Sequence, residues 1–553
     1  MSKFWVCLIL FATWTMTTYA QDVEWVTQAG GSKYDSGMDI SLDSDQNSLV
    51  VGVFSDSLQL EDNKLIAAGG TDIFVAKYDA LGALQWVNQA GSQANDEAYA
   101  VTTDESGSVY VTGYFRDTID FEGNKLYAAG LFDDDIFLAK YQADGTFSWV
   151  RQMGGAGSDI AYGIAASKDG HVYLTGRFSE RLTAPINDSG APFTFVSKGS
   201  FDIFVAKYNA DGERTSISQY GGTGYDSAQA IALDDNGNYY LTGFFNGNMQ
   251  LGEQELMSNG DFDLFAAKFD DSNATLWANN AGGAYIDLAT AIDLDADGNA
   301  YITGSYEDMA FFEDMTIEST GSTDYFLAKL NGANGNFDWV RQAGGDDADI
   351  GLGVAVDANG NSHVTGSFSE MFVLGNDTLR TNEENSGAIF LLQYNIDGTL
   401  LQKNHTTGSS YDEGNAIVID EDSNCYLTGS FSKDMTIGEN TLNSNGNSDL
   451  FVTKIKGDFT DIEEGTLTSA QSFLQVYPNP VSSQLFIEFE TEKSDRYLLQ
   501  LSDYAGKVVY EQFFESTHGV YTQSLDVAAF AKGMYILQLK SNELNISRKL
   551  VVN

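Results

Sequence analysis

The chain has 553 residues, with 79 Asp and Glu against 29 Lys and Arg, four His, four Pro, two Cys and 56 Gly. Its formal charge of −50 excludes duplex nucleic acid, which needs clustered basic side chains, and anionic membrane surfaces. With 43% hydrophobic and 13% aromatic residues the chain can bury a core, but four His and two Cys are too few for a zinc ribbon or a disulfide framework.

Residues 1–20 open with Lys3, continue through an apolar stretch over residues 4–14 and end in Ala20. This pattern predicts a signal peptide cleaved before Gln21, because the apolar stretch is too short to span a bilayer. No second run of 18 apolar residues exists, so no transmembrane segment is expected. Cleavage would leave Cys425 as the sole cysteine and the exported chain without an internal disulfide.

Residues 21–457 repeat one pattern seven times. One anchor is a Tyr/Val-x-Thr-Gly step ending in Gly52, Gly113, Gly176, Gly243, Gly304, Gly366 and Gly429, at spacings of 61 to 67 residues. A second is Asp-x-Phe-x-x-Lys, beginning at Asp72, Asp135, Asp202, Asp263, Asp324 and Asp449; the sixth copy has Ala388 and Gln393 instead of Asp and Lys. A third is Trp-Val-x-Gln-x-Gly-Gly or a close variant at Trp25, Trp86, Trp149, Trp277 and Trp339, with Ser216 and Gln402 filling the place in the other two copies. Within a copy, residues 292–304 alternate apolar positions on either side of an Asp-Gly turn, and residues 324–342 read as a second hairpin. Four strands per copy of about 62 residues describe a propeller blade. Through DGNAYITG, DYFLAK and the Trp-Val-x-Gln-x-Gly-Gly segment the array resembles SBBP-type β-propeller repeats, a likeness that implies a fold and no activity.

The array begins with a bare Trp strand and ends with a bare Asp-x-Phe strand. Each blade needs both, so the expectation is a seven-bladed β-propeller with a Velcro closure, in which the first strand completes the last blade.

The recurring residues are expected to build this scaffold. Asp35, Asp96, Asp159, Asp226, Asp287, Asp349 and Asp412 each precede Gly or Ala by two places, which sets them at one mouth of the central channel. Their expected role is structural, as turn aspartates accepting backbone N–H bonds; the functional alternative is a carboxylate ring for a cation. Asp293, Asp295 and Asp297 with Gly298 spell the opening of a calcium loop, yet Gly304 stands where a bidentate Glu is required. Calcium is thus the one cofactor for which the sequence offers ligands, and a plain hairpin turn is the competing reading. The recurring Lys is expected to pair with a blade carboxylate. No His-dependent catalytic motif is found and no catalytic residue is assigned.

If repeats build the scaffold, function should lie where they differ. The third copy is the longest, and its residues 177–198 carry Arg177, Arg181 and Lys198 together with Pro185 and Pro192. That locally basic loop is the candidate ligand-binding segment.

At residue 458 the chain changes character. Residues 458–470 read as a linker, and residues 471–553 as a small Ig-like β-sandwich of short apolar strands. Tyr477, Pro478, Asn479 and Pro480, then residues 501–510 around Gly506, residues 533–539 with Gly533 and Tyr535, and the terminal RKLVVN with Lys549 occur in order. Together they resemble the type A C-terminal sorting domain of the type IX secretion system of Bacteroidota. The resemblance implies secretion across the outer membrane through that machinery, with the passenger released or attached to the cell surface. The acidity belongs to the passenger: residues 21–465 hold 70 acids and 21 bases, and residues 466–553 nine and seven. The expectation for function is a secreted or surface-attached, non-catalytic binding module with a glycan or surface-protein ligand. Its competitor is a secreted polysaccharide hydrolase or lyase using channel carboxylates.

Overall fold

The computed structural model describes residues 23–130, 133–168, 170–183, 193–375, 377–383 and 386–457, and in the C-terminal part 474–477, 481, 484–491, 495–503, 507–516, 519–527, 530, 532–540 and 545–552. The signal peptide, the linker, Pro185, Pro192, Pro478, Asn479, Pro480 and Gly506 lie outside the described residues. The chain divides into two compact units, residues 1–458 and 459–553.

The first unit is all-β. Its first sheet takes the strands Asp35–Leu42, Ser48–Leu60, Asn63–Tyr78 and Leu84–Ala90 in chain order, each antiparallel to the next. The same four-strand order recurs from Asp96–Thr103, Asp159–Ala166, Asp226–Leu233, Leu288–Leu294 and Ile350–Val356. A last sheet joins Asp412–Ile419, Cys425–Phe431 and Asp449–Ile455 to the first strand of the described chain, Val23–Ala29. In that pairing Trp25 stands opposite Lys454, as Trp86 stands opposite Lys77 in the first sheet.

The blades stack through apolar layers between neighbouring sheets. Val51 and Val75 of the first meet Val111, Phe121 and Phe137 of the second in one such layer. The aromatic anchor has a polar handle as well, because each indole N–H must find an acceptor when half-buried. Trp25, Trp86, Trp149, Trp277 and Trp339 each donate from Nε1 to a carbonyl in the outer turn of the next blade, at 3.1–3.2 Å. The turn beneath such a ring carries glycine with positive φ; a Cβ on Gly82 would stand 2.6 Å from the Trp25 ring. Where the third copy has Ser216 instead of Trp, the facing turn has Asn273 at φ 68°, and its amide donates to the Ser216 hydroxyl at 3.0 Å. Ring and glycine are exchanged together.

Four of the six recurring lysines, Lys77, Lys140, Lys329 and Lys454, are buried, and Lys207 and Lys268 are partly so. Lys77 sits 2.7 Å from Asp43 and Lys329 3.4 Å from Asp295, each carboxylate being in the inner hairpin turn of the same blade. Lys140, Lys268, Lys329 and Lys454 also lie over the ring of the tyrosine before the Thr-Gly step, 4.6–5.2 Å from its centre.

The second unit has two antiparallel sheets, one of Leu474–Tyr477, Gln484–Thr491 and Gly519–Asp526, the other of Val508–Ser516, Asp495–Asp503, Gly533–Lys540 and Asn545–Val552. Leu485, Ile487 and Leu525 of the first share a core with Leu499, Leu501, Tyr535 and Leu537 of the second. Tyr477 ends one strand, Gly533 begins another, and Lys549 pairs with Ile536 in the last. Among the described residues no helix is long and apolar enough to cross a membrane.

Deleting residues 21–29 strips the outer partner from Asp449–Ile455 and removes the Trp25 ring from the first blade. Truncation should lower the calorimetric melting temperature and expose a strand edge that drives self-association in sedimentation; a truncated chain that melts like the intact one would contradict this arrangement.

Candidate functional site at the mouth of the channel

The seven inner strands surround a cavity of about 320 Å3. Sequence reading placed the repeated aspartates at its mouth, but they do not line it. They are fully buried between blades because the chain must cross there from the outer strand of one blade to the inner strand of the next. Asp35 accepts from Gly31 N–H at 2.6 Å and from Ser55 N–H on its own second strand at 3.2 Å. Asp349 does the same with Gly345 and Ser369, at 2.6 and 3.1 Å. Asp226 and Asp287 hold Gly222 and Gly283 at 2.7 and 2.6 Å. Asp96 and Asp412 bond Arg116 N–H and Ser432 N–H, at 3.2 and 3.4 Å. Asp159 is buried in the same place, beside Gly155 and Ser179. These bonds staple the chain where it crosses between blades.

Every staple but Asp412 has a second carboxylate nearby, from the Asp-x-Phe step of the preceding blade. A Cβ on Gly221 would lie 2.8 Å from Asp202 Cγ and 2.9 Å from Asp226 Oδ2, so only glycine fits between the two. The repeated glutamine completes the junction: Gln219 Nε2 donates to Asp202 at 2.7 Å and to the Val196 carbonyl at 2.8 Å. In the sixth copy, where Ala388 replaces that aspartate, the glutamine position is also changed, to His405.

Burial raises the pKa of these staples, to about 7 for Asp35, Asp96, Asp226 and Asp287 and about 8 for Asp349 and Asp412. Burial and then the neighbouring Asp135 charge bring Asp159 to about 9.

The calcium expectation is not met by the geometry. Asp293 points to the neighbouring blade and accepts from Val356 N–H at 2.7 Å. Asp295 is buried against Lys329 and accepts from Asp297 N–H at 3.1 Å and Asn299 N–H at 2.9 Å. Asp297 is exposed. The three carboxylates diverge because only Asp293 belongs to the strand Leu288–Leu294, while Asp295 and Asp297 lie in the turn that follows it. Among the described residues no group of three or more His, Cys, Asp or Glu could hold a metal ion.

What lines the mouth is the residue three places after each staple: Met38, Tyr99, Tyr162, Gln229, Thr290, Leu352 and Asn415. The flanking positions are Gly, Ala or a packed aliphatic in nearly every copy, so this position varies within an otherwise repeated strand. On one side the variation builds a continuous aromatic face. Tyr99 lies 6.0 Å from Tyr114 and 5.2 Å from Tyr162 between ring centres. The Arg177 guanidinium stands over Tyr162, Phe201 and Tyr225 at 5.3, 4.7 and 5.1 Å. Tyr225 in turn contacts Phe244 at 5.8 Å and Phe262 at 5.6 Å. The positions of Tyr114, Arg177 and Phe244 are held by Ser305, Ser367 and Ser430 in the last three blades.

Two carboxylates adjoin the rings. Glu97 accepts from the Tyr99 hydroxyl at 2.7 Å and also from Tyr114. Asp134 is bound by Arg116 at 2.7 and 2.8 Å and by Ser158 at 2.8 Å.

Of the three candidate bases, only Arg177 reaches this face. Arg181 is exposed on the short strand Arg181–Thr183, paired with Thr194–Val196, and Lys198 is exposed with its ammonium on the Gly221 carbonyl at 3.1 Å. The loop thus contributes its first residue to the mouth, while the rings come from single substitutions spread over three blades. The signal that finds them is variation at one strand position, which is visible only once the copies are aligned on their staples.

Sequence reasoning also missed a buried set in the sixth and seventh blades. Cys425 Sγ lies 3.3 Å from His363 Nδ1, and His363 Nε2 lies 3.6 Å from Asp357 and 3.3 Å from Gln393. The order resembles a nucleophile, base and acid, but Cys425 and His363 are 0% and 1% exposed and no substrate atom reaches them. Burial pushes the Cys425 thiol pKa up, away from the reactive thiolate. His363 and Gln393 replace the Tyr and Lys of the other blades, so this is repacking of one interior position.

Comparison with known proteins fits this architecture. Residues 475–553 match the family model described as a secretion system C-terminal sorting domain, and residues 85–114 and 338–367 match a beta-propeller repeat model, SBBP. The chain carries β-propeller repeats and a type IX C-terminal sorting domain, which marks a secreted or cell-surface-attached protein. It is similar to an uncharacterized WD repeat-containing protein of Acanthamoeba polyphaga mimivirus, 21% identical over 74% of this chain and 36% of that protein. It is also similar to the regulatory protein FlaEY of Caulobacter vibrioides, 25% identical over 37% of this chain and 21% of that protein. The chain thus spans about a third or less of the length of these curated relatives. Among solved structures, a fungal alcohol oxidase in complex with copper aligns over 97% of this chain and 100% of its own, with 10% identity and a TM-score of 0.38. A family 43 arabinoxylan arabinofuranohydrolase from Bacillus subtilis aligns over 82% and 93%, with 12% identity and a TM-score of 0.26. Likenesses this loose assign no activity.

The staples give the ring an unusual pH dependence. An unfolded aspartate titrates near ~3.9, so each staple binds its proton more tightly when folded. Stability from these groups is complete below that value and is lost as pH rises toward about 7 to 9. Asp357 acts oppositely: burial raises its pKa, but hydrogen bonds from His363 and Asn361 outweigh this and hold it at about 2, so its contribution is lost only in acid. The melting temperature should therefore be higher at pH 5 than at pH 8.5, and Asp159→Asn should narrow the difference. Equal or higher stability at pH 8.5 would contradict it.

Proposed function

We propose that this chain is an exported, non-catalytic binding module: a seven-bladed ring completed by its own first strand, which recognises a ligand at the channel mouth. In this reading residues 1–20 are removed, residues 21–457 are the passenger, residues 458–470 are a linker, and residues 471–553 engage the type IX secretion machinery. The pairing of Val23–Ala29 with Asp449–Ile455 supports the ring. The observation that carries the binding site is the departure from seven-fold repetition, with half-buried aromatic faces on the second to fourth blades and small polar side chains opposite.

Rigid aromatic rings bring large contact area at low entropic cost, which suits recognition. Hydrolysis of a glycosidic bond needs instead one carboxylic acid and one carboxylate free to exchange protons with substrate. At this mouth Glu97 and Asp134 are engaged by tyrosine hydroxyls and by Arg116 with Ser158, and the cavity-lining carboxylates Asp39 and Asp293 by the N–H groups of Val101 and Val356 at 2.7 Å each. That favours binding over the hydrolase or lyase reading.

Labelled full-length chain should bind saturably to washed envelopes and extracellular material of the producing culture. Replacing Tyr99 and Tyr162 by alanine should lower the bound fraction about tenfold, a loss near 1.4 kcal/mol. Undiminished binding by that variant would refute the site. Release of reducing ends from polysaccharide by the intact chain would replace binding by hydrolysis.

A further inference from the structure

We infer that the mouth takes the uncharged terminal sugar of a polysaccharide, a ligand class that deepens the binding reading above and rests on it. The argument begins with charge. Residues 21–465 carry 70 acids and 21 bases, so at long range the ring repels polyanions. At the mouth the balance is closer: Glu97 and Asp134 stand with Arg116 and Arg177, and the two further carboxylates that line the cavity, Asp39 and Asp293, are each tied to a backbone N–H of a neighbouring blade, Val101 and Val356. Arg116 is paired with Asp134. Arg177 is held by three ring faces, and its Nε has no hydrogen-bond partner among the described residues. A site whose carboxylates are paired or held by backbone, within an acidic ring, selects against anionic ligands, and Arg177 beside the rings selects against cations.

What remains is an uncharged ligand that uses ring faces, donors and acceptors together. Pyranose sugars have that form: axial C–H groups on one face stack on an aromatic ring, and equatorial hydroxyls both donate and accept at the rim. Tyr99 and Tyr162 provide the stacking faces and line the cavity. Arg177 provides donors beside them, and Glu97 an acceptor that its tyrosine partners hold in place. The cavity volume of about 320 Å3 is at the small end of ligand pockets, which run from ~300 to 1,000 Å3. It suits a chain end entering the channel better than a chain lying across it.

The test is titration calorimetry of the full chain with cello-, xylo- and manno-hexaose, and with oligogalacturonate as the anionic control. At least one uncharged series should bind. Tyr162→Ala should weaken it at least tenfold, Tyr162→Phe should retain it because the ring remains, and Tyr285→Ala, outside the cluster, should leave it unchanged. Met38→Trp, which narrows the mouth from another blade without touching the aromatic face, should abolish it, so the result does not depend on one variant folding. Binding of oligogalacturonate alone, binding of no saccharide, or equal loss in Tyr162→Phe and Tyr162→Ala would overturn the sugar assignment. If no saccharide binds while the envelope assay still depends on Tyr99 and Tyr162, the ligand class falls and the binding module stands. If neither assay depends on them, both fall.

Discussion

A ring of sheets requires the chain to cross repeatedly from the outer strand of one blade to the inner strand of the next, through an interior where every backbone N–H needs an acceptor. In this protein a single buried aspartate serves each crossing. It takes an N–H from the link just before it or from the second strand of its own blade, and in Asp35 and Asp349 from both. The residue it faces must be glycine where a second carboxylate comes from the preceding blade, since a Cβ on Gly282 would stand 2.7 Å from Asp263 and 2.9 Å from Asp287. The second carboxylate must in turn be held, and the glutamine of the tryptophan strand holds it. Aspartate, glycine, second aspartate and glutamine are therefore one device, repeated because the crossing is repeated.

That device explains why the most regular residues offer no chemistry. Their polar atoms are spent on backbone and on one another, inside the protein. Where one member is lost the partner changes too: Ala388 with His405, Ser216 with Asn273, His363 with Gln393. Such paired changes keep the interior satisfied. The mouth positions face a cavity instead of a partner blade, so Met38, Tyr99, Gln229 and Leu352 can differ without any second change.

Much of the architecture was legible because its signals are periodic. Alternating apolar residues around Asp-Gly turns gave the strands, and the Trp and Asp-x-Phe anchors gave the grouping, down to the kinship of Val23–Ala29 with the outer strands. The order of motifs in residues 471–553 gave the sorting domain. The position of Asp35 and its equivalents was not legible: two-residue periodicity tells which residues share a face, and does not tell a face turned to the channel from one turned to a neighbouring blade. The calcium motif misleads for a different reason: Asp293 is on the strand Leu288–Leu294 and Asp295 and Asp297 lie in the turn beyond it, so their spacing does not bring the carboxylates together. The aromatic face was invisible for the opposite reason. Tyr99, Tyr162, Phe201 and Tyr225 lie far apart in sequence, and only the closing of blades against one another brings them together.

The acidity takes on a different meaning beside this geometry. Part of it is interior, in staples that burial holds near their protonated form around neutrality, as with Asp349 at about 8. Those groups add little to the charge that a ligand feels. The solvated remainder keeps exported rings apart by mutual repulsion and, with a screening length of ~8 Å at physiological salt, fades quickly with distance. At the mouth opposite charges meet beside the rings, with Arg116 and Arg177 set among Glu97 and Asp134.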